Sequence, residues 1–462
     1  MRRSVVIFSS DDQLTSILSS YCKRILGGEL SVCSDFISAR SAFRRHGVTT
    51  LFIDLRPEAI TDETAQLFHQ LNEDPQNVVE LIPLCDGSYP REFAEYVDLH
   101  SLSHLDTPLD EEAACRTLQS LARRNGSNGA CRKPRQYVVR SDKILFTTYS
   151  PAMIEMFEQL LRVAKRDVTL LLVGETGTGK STLAKLIHQL TNRRDRPFHI
   201  VACGALPRDL IESELFGHVR GAFTGADRNK IGRFEAAGRG TLLLDEIDIL
   251  GPNEQAKLLR VIETSEYEMV GSTETRISKA RLIVASNVDL QSLMEDSEFR
   301  SDLYYRLNVL EFCLPPLRER LLDIVPLAVM FINECCKTHG IEIRRVHRDF
   351  LEALKKYRWP GNVRELKNQV QRSVLFCKGC DLAVDDLSAV ILKARDEEDG
   401  NGELQSNPSS LAHRVASNEQ QILKEVLHLN GQNRVATAQA LGISRVGLYK
   451  KMRKYGLIEK KA

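Results

Sequence analysis

The chain has 462 residues and a net charge of +1; 42% of its residues are hydrophobic and 27% are charged. This composition is typical of a globular domain protein and excludes a collagen, a globally disordered chain and a small disulfide-rich scaffold. Its apolar runs are much shorter than the ~20 residues of a membrane-spanning helix, and 11 scattered cysteines indicate reduced thiols, so we expect a cytoplasmic protein without a membrane partner.

Two segments without hydrophobic periodicity divide the chain into domains. Both are rich in Gly, Asn, Ser or charged residues, a composition typical of connectors. We predict domains at 1–122, 146–393 and 414–462, joined by linkers at 123–145 and 394–413. Residues 411–462 carry a net charge of +7, which favours binding of a polyanion over a merely solvated surface helix.

The first domain alternates short apolar runs with helical patterns. We predict buried strands at 4–8, 50–55 and 78–84 and an amphipathic helix at 14–25. This alternation predicts a doubly wound parallel sheet with helices on both faces. Asp11, Asp12 and Asp54 lie where two of the strands end. Carboxylates at adjacent carboxyl ends of parallel strands suit a shared Mg²⁺ ion.

The middle domain begins with a phosphate-binding motif between a strand predicted at 168–173 and a helix predicted at 181–190. The motif consists of Gly174, Glu175, Thr176, Gly177, Thr178, Gly179, Lys180 and Ser181. It has the P-loop pattern, in which backbone N–H groups surround the phosphates of ATP, the lysine reaches the β/γ-phosphates and the hydroxyl binds Mg²⁺. A glycine-rich turn without a ligand is the alternative.

A second apolar strand, at 241–245, ends in two carboxylates. Asp245 is suited to hold Mg²⁺ together with Ser181, and Glu246 to polarise the attacking water. Asn287 follows a further strand at 281–286, where its side chain would contact the γ-phosphate or the water; a simple turn residue is the alternative. From about residue 322 the pattern becomes helical, which predicts a helical subdomain.

The last domain has the pattern of three helices. A helix, a short turn and a basic helix from Ser444 predict an all-α helix-turn-helix that binds double-stranded DNA. The candidate DNA contacts are Ser444, Arg445, Tyr449, Lys450 and Lys451. Arg445 is suited to read a base edge, and the lysines to meet phosphates. A helical dimerisation module without DNA is the alternative.

A loop of small residues around one phenylalanine lies between the two ATP motifs; it consists of Gly221, Ala222, Phe223, Thr224, Gly225 and Ala226. The residues alone fit a mobile hairpin tip that presents Phe223 to a partner, or a turn with Phe223 in the core, and favour the second. The motif GAFTGA, however, resembles the hallmark of the bacterial enhancer-binding proteins that activate sigma-54 RNA polymerase. ESELFGHVRGAFTGA, FRSDLYYRLNV, LPPLRER and WPGNVREL extend the likeness from 151 to about 392.

With both flanking domains, the chain resembles the NtrC type of this family. The resemblance implies a bacterial AAA+ ATPase that uses ATP and Mg²⁺ and assembles from a dimer into a ring such as a hexamer. It implies sigma-54 RNA polymerase and upstream activating DNA as partners. ATP hydrolysis would raise the 221–226 loops, with Phe223 and Thr224 touching sigma-54, and so remodel the closed promoter complex.

The resemblance also implies roles for residues of the ATPase. Asp245 and Glu246 correspond to the Walker B pair and Asn287 to sensor I. Arg300 and Arg306 resemble arginine fingers that reach a neighbour's γ-phosphate, and Arg364 resembles the sensor II arginine. A surface ion pair is the alternative for each arginine.

Two positions of the ATPase depart from the family pattern. Ala202 stands where an asparagine usually holds the catalytic glutamate inactive, which puts that switch in question. Met269 replaces a usual arginine, so we expect a changed contact near the ring interface.

The first domain resembles a response-regulator receiver with Asp54 as phosphoacceptor, but two functional positions differ. Thr107 replaces the usual lysine and Cys85 the usual serine or threonine. Because the charge partner of a phosphoryl group is missing, we favour a pseudo-receiver over phosphorylation of Asp54, and the sequence does not decide whether a sensor kinase is a partner.

Two other functions are alternatives to the sigma-54 activator. A general AAA+ remodeller is disfavoured by the GAFTGA loop and the terminal helix-turn-helix. A DNA-binding repressor with a vestigial ATPase is disfavoured by the intact P-loop and Walker B pair. The residues specify neither the target promoter nor the activating signal, a nucleotide second messenger included.

Overall fold

The computed structural model describes residues 4–46, 50–73, 80–101, 103–124, 135–142 and 144–392. The chain forms two compact units, Met1–Asp396 and Glu397–Ala462. The second unit lies outside the described residues, and with it the predicted DNA contacts Ser444, Arg445, Tyr449, Lys450 and Lys451. Within the described ranges, no helix is both long enough and apolar enough to cross a membrane.

The amino-terminal domain is a doubly wound α/β sheet, as predicted. Its elements are β1 (Ser4–Phe8), α1 (Asp12–Ile25), β2 (Glu29–Cys33), α2 (Phe36–His46), β3 (Thr50–Asp54), α3 (Asp62–Glu73), β4 (Glu80–Cys85), β5 (Ser88–Pro90), α4 (Arg91–His100), β6 (Leu105–Asp106) and α5 (Glu111–Arg124). Five parallel strands run in the order β2-β1-β3-β4-β6. Strands β1 and β3 are buried along their whole length because helices cover both faces of the sheet.

A β-hairpin begins in the segment 123–145, which the sequence predicts as a linker, and extends beyond it to Thr148. It pairs β7 (Tyr137–Arg140) with β8 (Leu145–Thr148) in antiparallel orientation. Val139 is buried in the same core cluster as Met153 and Phe157, so the hairpin belongs to the ATPase domain. The strands are four residues long and largely exposed, which leaves little periodicity for a prediction.

The ATPase core is a second parallel α/β sheet. Its elements are α6 (Pro151–Ala164), β9 (Leu170–Val173), α7 (Lys180–Gln189), β10 (Phe198–Ala202), α8 (Arg208–Phe216), β11 (Gly217–His218), β12 (Lys230–Ile231), α9 (Arg233–Ala237), β13 (Thr241–Asp245), α10 (Pro252–Thr264), β14 (Glu266–Glu268), β15 (Thr275–Ile277), β16 (Arg281–Ser286), α11 (Leu290–Glu295), α12 (Ser301–Leu307) and β17 (Glu311–Cys313). The parallel strands run in the order β10-β13-β16-β9-β17. The predicted strands at 168–173, 241–245 and 281–286 are therefore three adjacent strands at the centre of this sheet.

The helical subdomain follows as a lid, close to the predicted start at 322. It consists of α13 (Ile324–His339), β18 (Arg345–His347), α14 (Arg348–Lys356), α15 (Asn362–Phe376) and β19 (Asp381–Leu382). The fully buried Trp359 donates its indole N–H to the Leu354 carbonyl at 2.8 Å and fixes the turn between α14 and α15. The two short strands of the lid, β18 and β19, were not predicted, because strands of three and two residues carry no usable periodicity.

Candidate active site

The predicted P-loop connects β9 with α7 and encloses the amine of Lys180. Gly177 and Gly179 adopt φ angles of +83° and +110°, which glycine reaches without a steric cost. The Lys180 Nζ donates to the Gly174 carbonyl at 2.6 Å and the Glu175 carbonyl at 3.1 Å. Burial lowers the pKa of Lys180, which is only 5% exposed. The loop thus surrounds the positively charged amine of Lys180, which a phosphate bound in the loop would contact.

A hydroxyl and a carboxylate meet beside the loop. Ser181 follows Lys180 in the first turn of α7, and its Oγ donates to Asp245 Oδ2 at 2.9 Å. Asp245 ends β13, two strands away from β9 in the sheet. Hard oxygen atoms of this kind are the ligands that Mg²⁺ prefers, so the pair fits the predicted metal site chemically.

The side-chain amide of Asn287 lies between Lys180 and Glu246. Its Oδ1 accepts from Lys180 Nζ at 2.7 Å, and its Nδ2 donates to Glu246 Oε1 at 3.2 Å. These residues meet because β13 and β16 are adjacent and parallel, and their carboxyl ends lie at one edge of the sheet. The three residues predicted from separate motifs therefore form one polar network.

Glu246 also depends on a glycine that the sequence did not single out. A Cβ atom at Gly204 would lie 1.9 Å from Glu246 Oε2, so the carboxylate occupies the space that a side chain would need. Ala202 pairs with Asp245 in the register of β10 and β13, and its methyl group has no hydrogen-bonding atom. Glu246 is held by Asn287 here, while the usual asparagine at position 202 is absent.

The lid contacts the P-loop directly, through residues that the sequence analysis did not assign. The buried Asn362 donates its Nδ2 to Glu175 Oε2 at 3.1 Å and to the Thr176 carbonyl at 3.0 Å. Arg318 holds the same Glu175 carboxylate with two hydrogen bonds of 2.9 and 2.6 Å. The carboxylate of Glu175 therefore faces the lid. Both new residues lie within the WPGNVREL and LPPLRER stretches.

The predicted sensor arginine sits at this same contact. The backbone N–H groups of Val363 and Arg364 donate to the Gly177 carbonyl at 3.0 and 3.3 Å. The positive charge of Arg364 adds to burial in lowering the pKa of Lys180. The charge of Arg364 is therefore close enough to Lys180 to act on it electrostatically. Thr178 is buried behind the loop, and its carbonyl accepts from the buried Arg320 at 2.8 Å.

Of the candidate finger arginines, Arg300 is the N-cap residue of α12 and Arg306 lies in the last turn of that helix; neither pairs with a residue of the network around Lys180. Arg300 pairs with Asp302 at 2.7 Å, and Arg306 with Glu263 at 2.9 Å. Their side chains are 45% and 61% exposed. Exposed pairs of this type contribute little to stability because water and salt screen them, so either arginine can exchange partners easily.

The GAFTGA loop forms the tip of a hairpin closed by β11 and β12. The N–H of Gly221 donates to the Ala226 carbonyl at 2.9 Å. Phe223 is 37% exposed and lies edge-on against the ring of His218, with 4.9 Å between ring centroids. A core position for Phe223, which the residues alone favour, is wrong. The loop packs against itself and leaves the aromatic ring at the surface.

Met269 lies at the base of this hairpin. It is 6% exposed, and its Cε would be 3.3 Å from a Cβ atom at Gly217. The neighbouring Val270 exchanges backbone hydrogen bonds with the hairpin, donating to the Gly217 carbonyl and accepting from the Val219 N–H. An apolar side chain here packs under the loop, where an arginine would have to bury its charge.

The amino-terminal domain contains an acidic pocket with its own cation. Asp54 is 1% exposed and accepts from Ser9 Oγ at 2.8 Å. Arg56 donates to both Asp54 oxygens at 3.0 and 2.8 Å and to Asp11 Oδ2 at 2.8 Å. Hydrogen bonds from the Leu14 N–H and then from Arg56 hold the pKa of Asp11 below its usual value. Arg56 was not among the predicted site residues, although it stands two residues after Asp54.

The two positions that depart from the receiver pattern, Cys85 and Thr107, are in direct contact in the structure. Cys85 ends β4 and is fully buried. Thr107 donates its hydroxyl to the Cys85 carbonyl at 3.1 Å. A neutral hydroxyl that is already bonded to the backbone supplies no positive charge to the Asp54 carboxylate.

Comparisons with known proteins identify the family. The profile of the Sigma-54 interaction domain matches residues 146–313, that of the AAA+ ATPase lid domain 318–403, and that of the Bacterial regulatory protein, Fis family, 415–455. Over 313 residues the chain is 40% identical to Regulatory protein AtoC of Escherichia coli (strain K12), a match that covers 67% of each chain. The chain belongs to the sigma-54-dependent transcriptional activators.

Other relatives match a smaller part of this activator. It is 47% identical over 239 residues to the Nif-specific regulatory protein of Azospirillum lipoferum, covering 52% of the activator and 38% of that relative. A crystal structure of NtrX from Brucella abortus in complex with ADP is 23% identical over 99% of the activator and 100% of NtrX, with a TM-score of 0.49.

Family membership confirms three predictions made from the sequence. The activator is an AAA+ ATPase with a nucleotide-binding P-loop core and a lid. It carries a Fis-type helix-turn-helix at 415–455, inside the predicted domain 414–462. Sigma-54 RNA polymerase and DNA are its partners. The general remodeller and the repressor with a vestigial ATPase are thereby disfavoured.

Proposed function

We propose that this activator converts ATP hydrolysis around Lys180 into movement of the hairpin 221–226, which contacts sigma-54 through Phe223 and Thr224. The observation that carries the proposal is the packing of Glu246 against Gly204. Gly204 leads, within a few residues, into α8, and α8 runs directly into the hairpin strand β11. A shift of the Glu246 carboxylate therefore acts on the chain segment that ends in the exposed Phe223.

The contacts around Lys180 support a separate role in ATP hydrolysis for each of the predicted residues. The backbone of residues 174–179 and the Lys180 amine bind the phosphates, and Arg364 adds a second positive charge. Ser181 and Asp245 would hold Mg²⁺, and the bound ion would neutralise phosphate charge. Glu246 orients the attacking water, and Asn287 holds Glu246 until the γ-phosphate takes over the Lys180 amine.

The exposed arginines at the two ends of α12, Arg300 and Arg306, support assembly into a ring, such as a hexamer built from dimers. Arg300 and Arg306 would release Asp302 and Glu263 and reach the γ-phosphate of a neighbouring copy. An arginine supplied in this way stabilises transition-state charge and makes hydrolysis depend on assembly. In the Fis-type domain, Arg445 would read a base edge and Lys450 and Lys451 would contact phosphates.

Open-complex formation by sigma-54 polymerase on a supercoiled template tests the proposal. Thr224→Ala is expected to hydrolyse ATP but to open no promoter, because the substitution removes a sigma-54 contact and leaves the residues around Lys180 in place. The matched control is Thr273→Ala, the same change at an exposed threonine in the neighbouring β14–β15 turn. Promoter opening by Thr224→Ala at the wild-type level would rule out the loop contact.

The amino-terminal domain is proposed to signal without phosphorylation of Asp54. Arg56 already supplies the positive charge that Mg²⁺ and a lysine would provide in a receiver. A phosphoryl group on Asp54 would have to displace Arg56 from a carboxylate that is almost fully buried.

Replacing Arg56 is expected to open this pocket. In Arg56→Ser, Asp11 and Asp54 lose their counter-charge, and calorimetry of the nucleotide-free chain should detect one Mg²⁺ site more than in the wild type. Arg40→Ser, at an exposed arginine of α2, serves as the control and should behave like wild type. Equal Mg²⁺ binding by wild type and Arg56→Ser, or transfer of phosphate from acetyl phosphate to wild-type Asp54, would contradict the proposal.

A further inference from the structure

The amino-terminal domain and the ATPase lid share a β-sheet. Strand β5 stands outside the five-stranded sheet of its own domain and pairs antiparallel with lid strand β18, which also pairs with β19. Two further backbone bonds extend the ladder, from the Arg91 N–H to the Arg344 carbonyl at 3.0 Å and from the Arg348 N–H to the Gly87 carbonyl at 2.9 Å. Backbone pairing of this kind requires a fixed register between the two domains.

The same two domains also share a hydrophobic core. One continuous cluster contains Tyr89, Phe93, Tyr96 and Val97 from the amino-terminal side and Val325, Val346, Leu351 and Leu354 from the lid. All of these side chains are buried. Separating the domains would expose this apolar surface to water, which opposes separation.

A lid arginine reaches deep into the amino-terminal domain. Arg345 is 8% exposed; its guanidinium donates to Ser88 Oγ at 2.8 Å, the Ser88 carbonyl at 2.9 Å, the Leu55 carbonyl at 3.0 Å and Asp86 Oδ1 at 3.0 Å. Leu55 directly follows Asp54 of the acidic pocket. A buried guanidinium is stable only where its donors are satisfied, and these four acceptors all belong to the other domain.

The rim of the contact pairs opposite charges. Lys355 of α14 donates to Asp98 of α4 at 2.8 Å, and Arg348 to Asp106 at 2.8 Å. The Asp98 side chain is only 12% exposed, so this pair is largely shielded from water. The cations come from the lid and the carboxylates from the amino-terminal domain, which gives the two surfaces complementary charge.

We infer that the amino-terminal domain is a permanent clamp on the lid of its own chain, bound through β5 and α4. In a receiver that detaches, the surface formed by β5 and α4 would be exposed when the domain is free. Here β5 is part of a sheet shared with the lid, and α4 is part of a shared core. Helix α14, which carries Lys355, leads through Trp359 to Asn362, and Asn362 contacts the P-loop. By holding α14, the clamp therefore also fixes the position of Asn362 against the P-loop.

Cutting the chain between the two domains tests the clamp. A recognition site for a specific protease replaces part of 125–134 in the full chain, and gel filtration follows cleavage. The cut wild-type pieces are expected to elute together. Lys355→Glu places two carboxylates against each other at the rim, and the dissociation constant of the cut pieces should rise about tenfold or more.

Two further variants separate this effect from misfolding. Asp98→Lys combined with Lys355→Glu restores an opposite-charge pair and should restore co-elution. Lys378→Glu reverses an exposed lid charge elsewhere and should leave co-elution unchanged. Separate elution of the cut wild-type pieces, or release by Lys355→Glu that Asp98→Lys does not reverse, would overturn the inference. The assay reads association alone, so its outcome is independent of ATP hydrolysis and of the proposed loop movement.

Discussion

Glu246→Gln is expected to reduce ATP hydrolysis about 10²–10⁴-fold, the usual contribution of a positioned general base. Glutamine keeps the size of the side chain and an oxygen that accepts from Asn287 Nδ2, a bond of 3.2 Å in the wild type. It cannot take a proton from water. Lys180, Ser181 and the P-loop backbone are unchanged, so nucleotide affinity should stay at the wild-type level. Phosphate release and equilibrium titration of an ATP analogue measure the two quantities.

Glu295→Gln is the matched control for this prediction. Glu295 is an exposed glutamate at the end of α11 that lies near Gln291, and its replacement should change neither hydrolysis nor binding. If Glu246→Gln loses nucleotide binding as well, Glu246 has a structural role at Gly204. If it hydrolyses ATP at the wild-type rate, another group orients the water.

The central strands of the ATPase sheet, and the residues at their carboxyl ends, can be predicted because their signal lies within a short stretch of sequence. An apolar run bounded by turn residues reads as a buried strand, and β13 and β16 are such runs. Parallel strands place their carboxyl ends at one edge, so residues at those ends meet. Glu246 and Asn287 were therefore predictable as neighbours, even though 41 positions separate them.

The contacts between domains could not be predicted in this way. Asn362 reaches Glu175 across 187 positions of sequence, and Arg345 reaches Ser88 across 257. Strands of three residues, such as β5 and β18, carry no periodicity, and their pairing is decided by the shared core. A single sequence contains no signal that joins such distant segments.

Arg56 is a different case, because its signal was local. The sequence showed that the usual lysine is replaced by Thr107 and predicted a pocket without a charge partner. In the structure the positive charge comes from Arg56, two positions after Asp54. Its guanidinium donates to both Asp54 and Asp11. An arginine close in sequence to an acidic strand end can therefore neutralise the carboxylates even where the usual lysine of the family is replaced.

Gly177→Ala is expected to loosen the lid from the P-loop and weaken nucleotide binding. Gly177 has a φ of +83°, and a Cβ atom there would lie 2.2 Å from the Gly361 carbonyl oxygen. The Gly177 carbonyl accepts from Val363 and Arg364, so the loop cannot move away without breaking these bonds. Backbone strain alone costs ~1–3 kcal/mol, and displacement of the lid adds to it. Thermal unfolding and titration of an ATP analogue measure the effect.

The control is another glycine of the same loop, Gly179. It has a φ of +110°, and nothing lies within 4 Å of a Cβ atom built there. Gly179→Ala therefore introduces backbone strain without the clash, and the difference between the two variants isolates the contact with the lid. Equal losses of thermal stability in both would mean that the lid yields freely at Gly361. A larger loss in Gly177→Ala would mean that the lid is held in place from its other side, where the amino-terminal domain binds it.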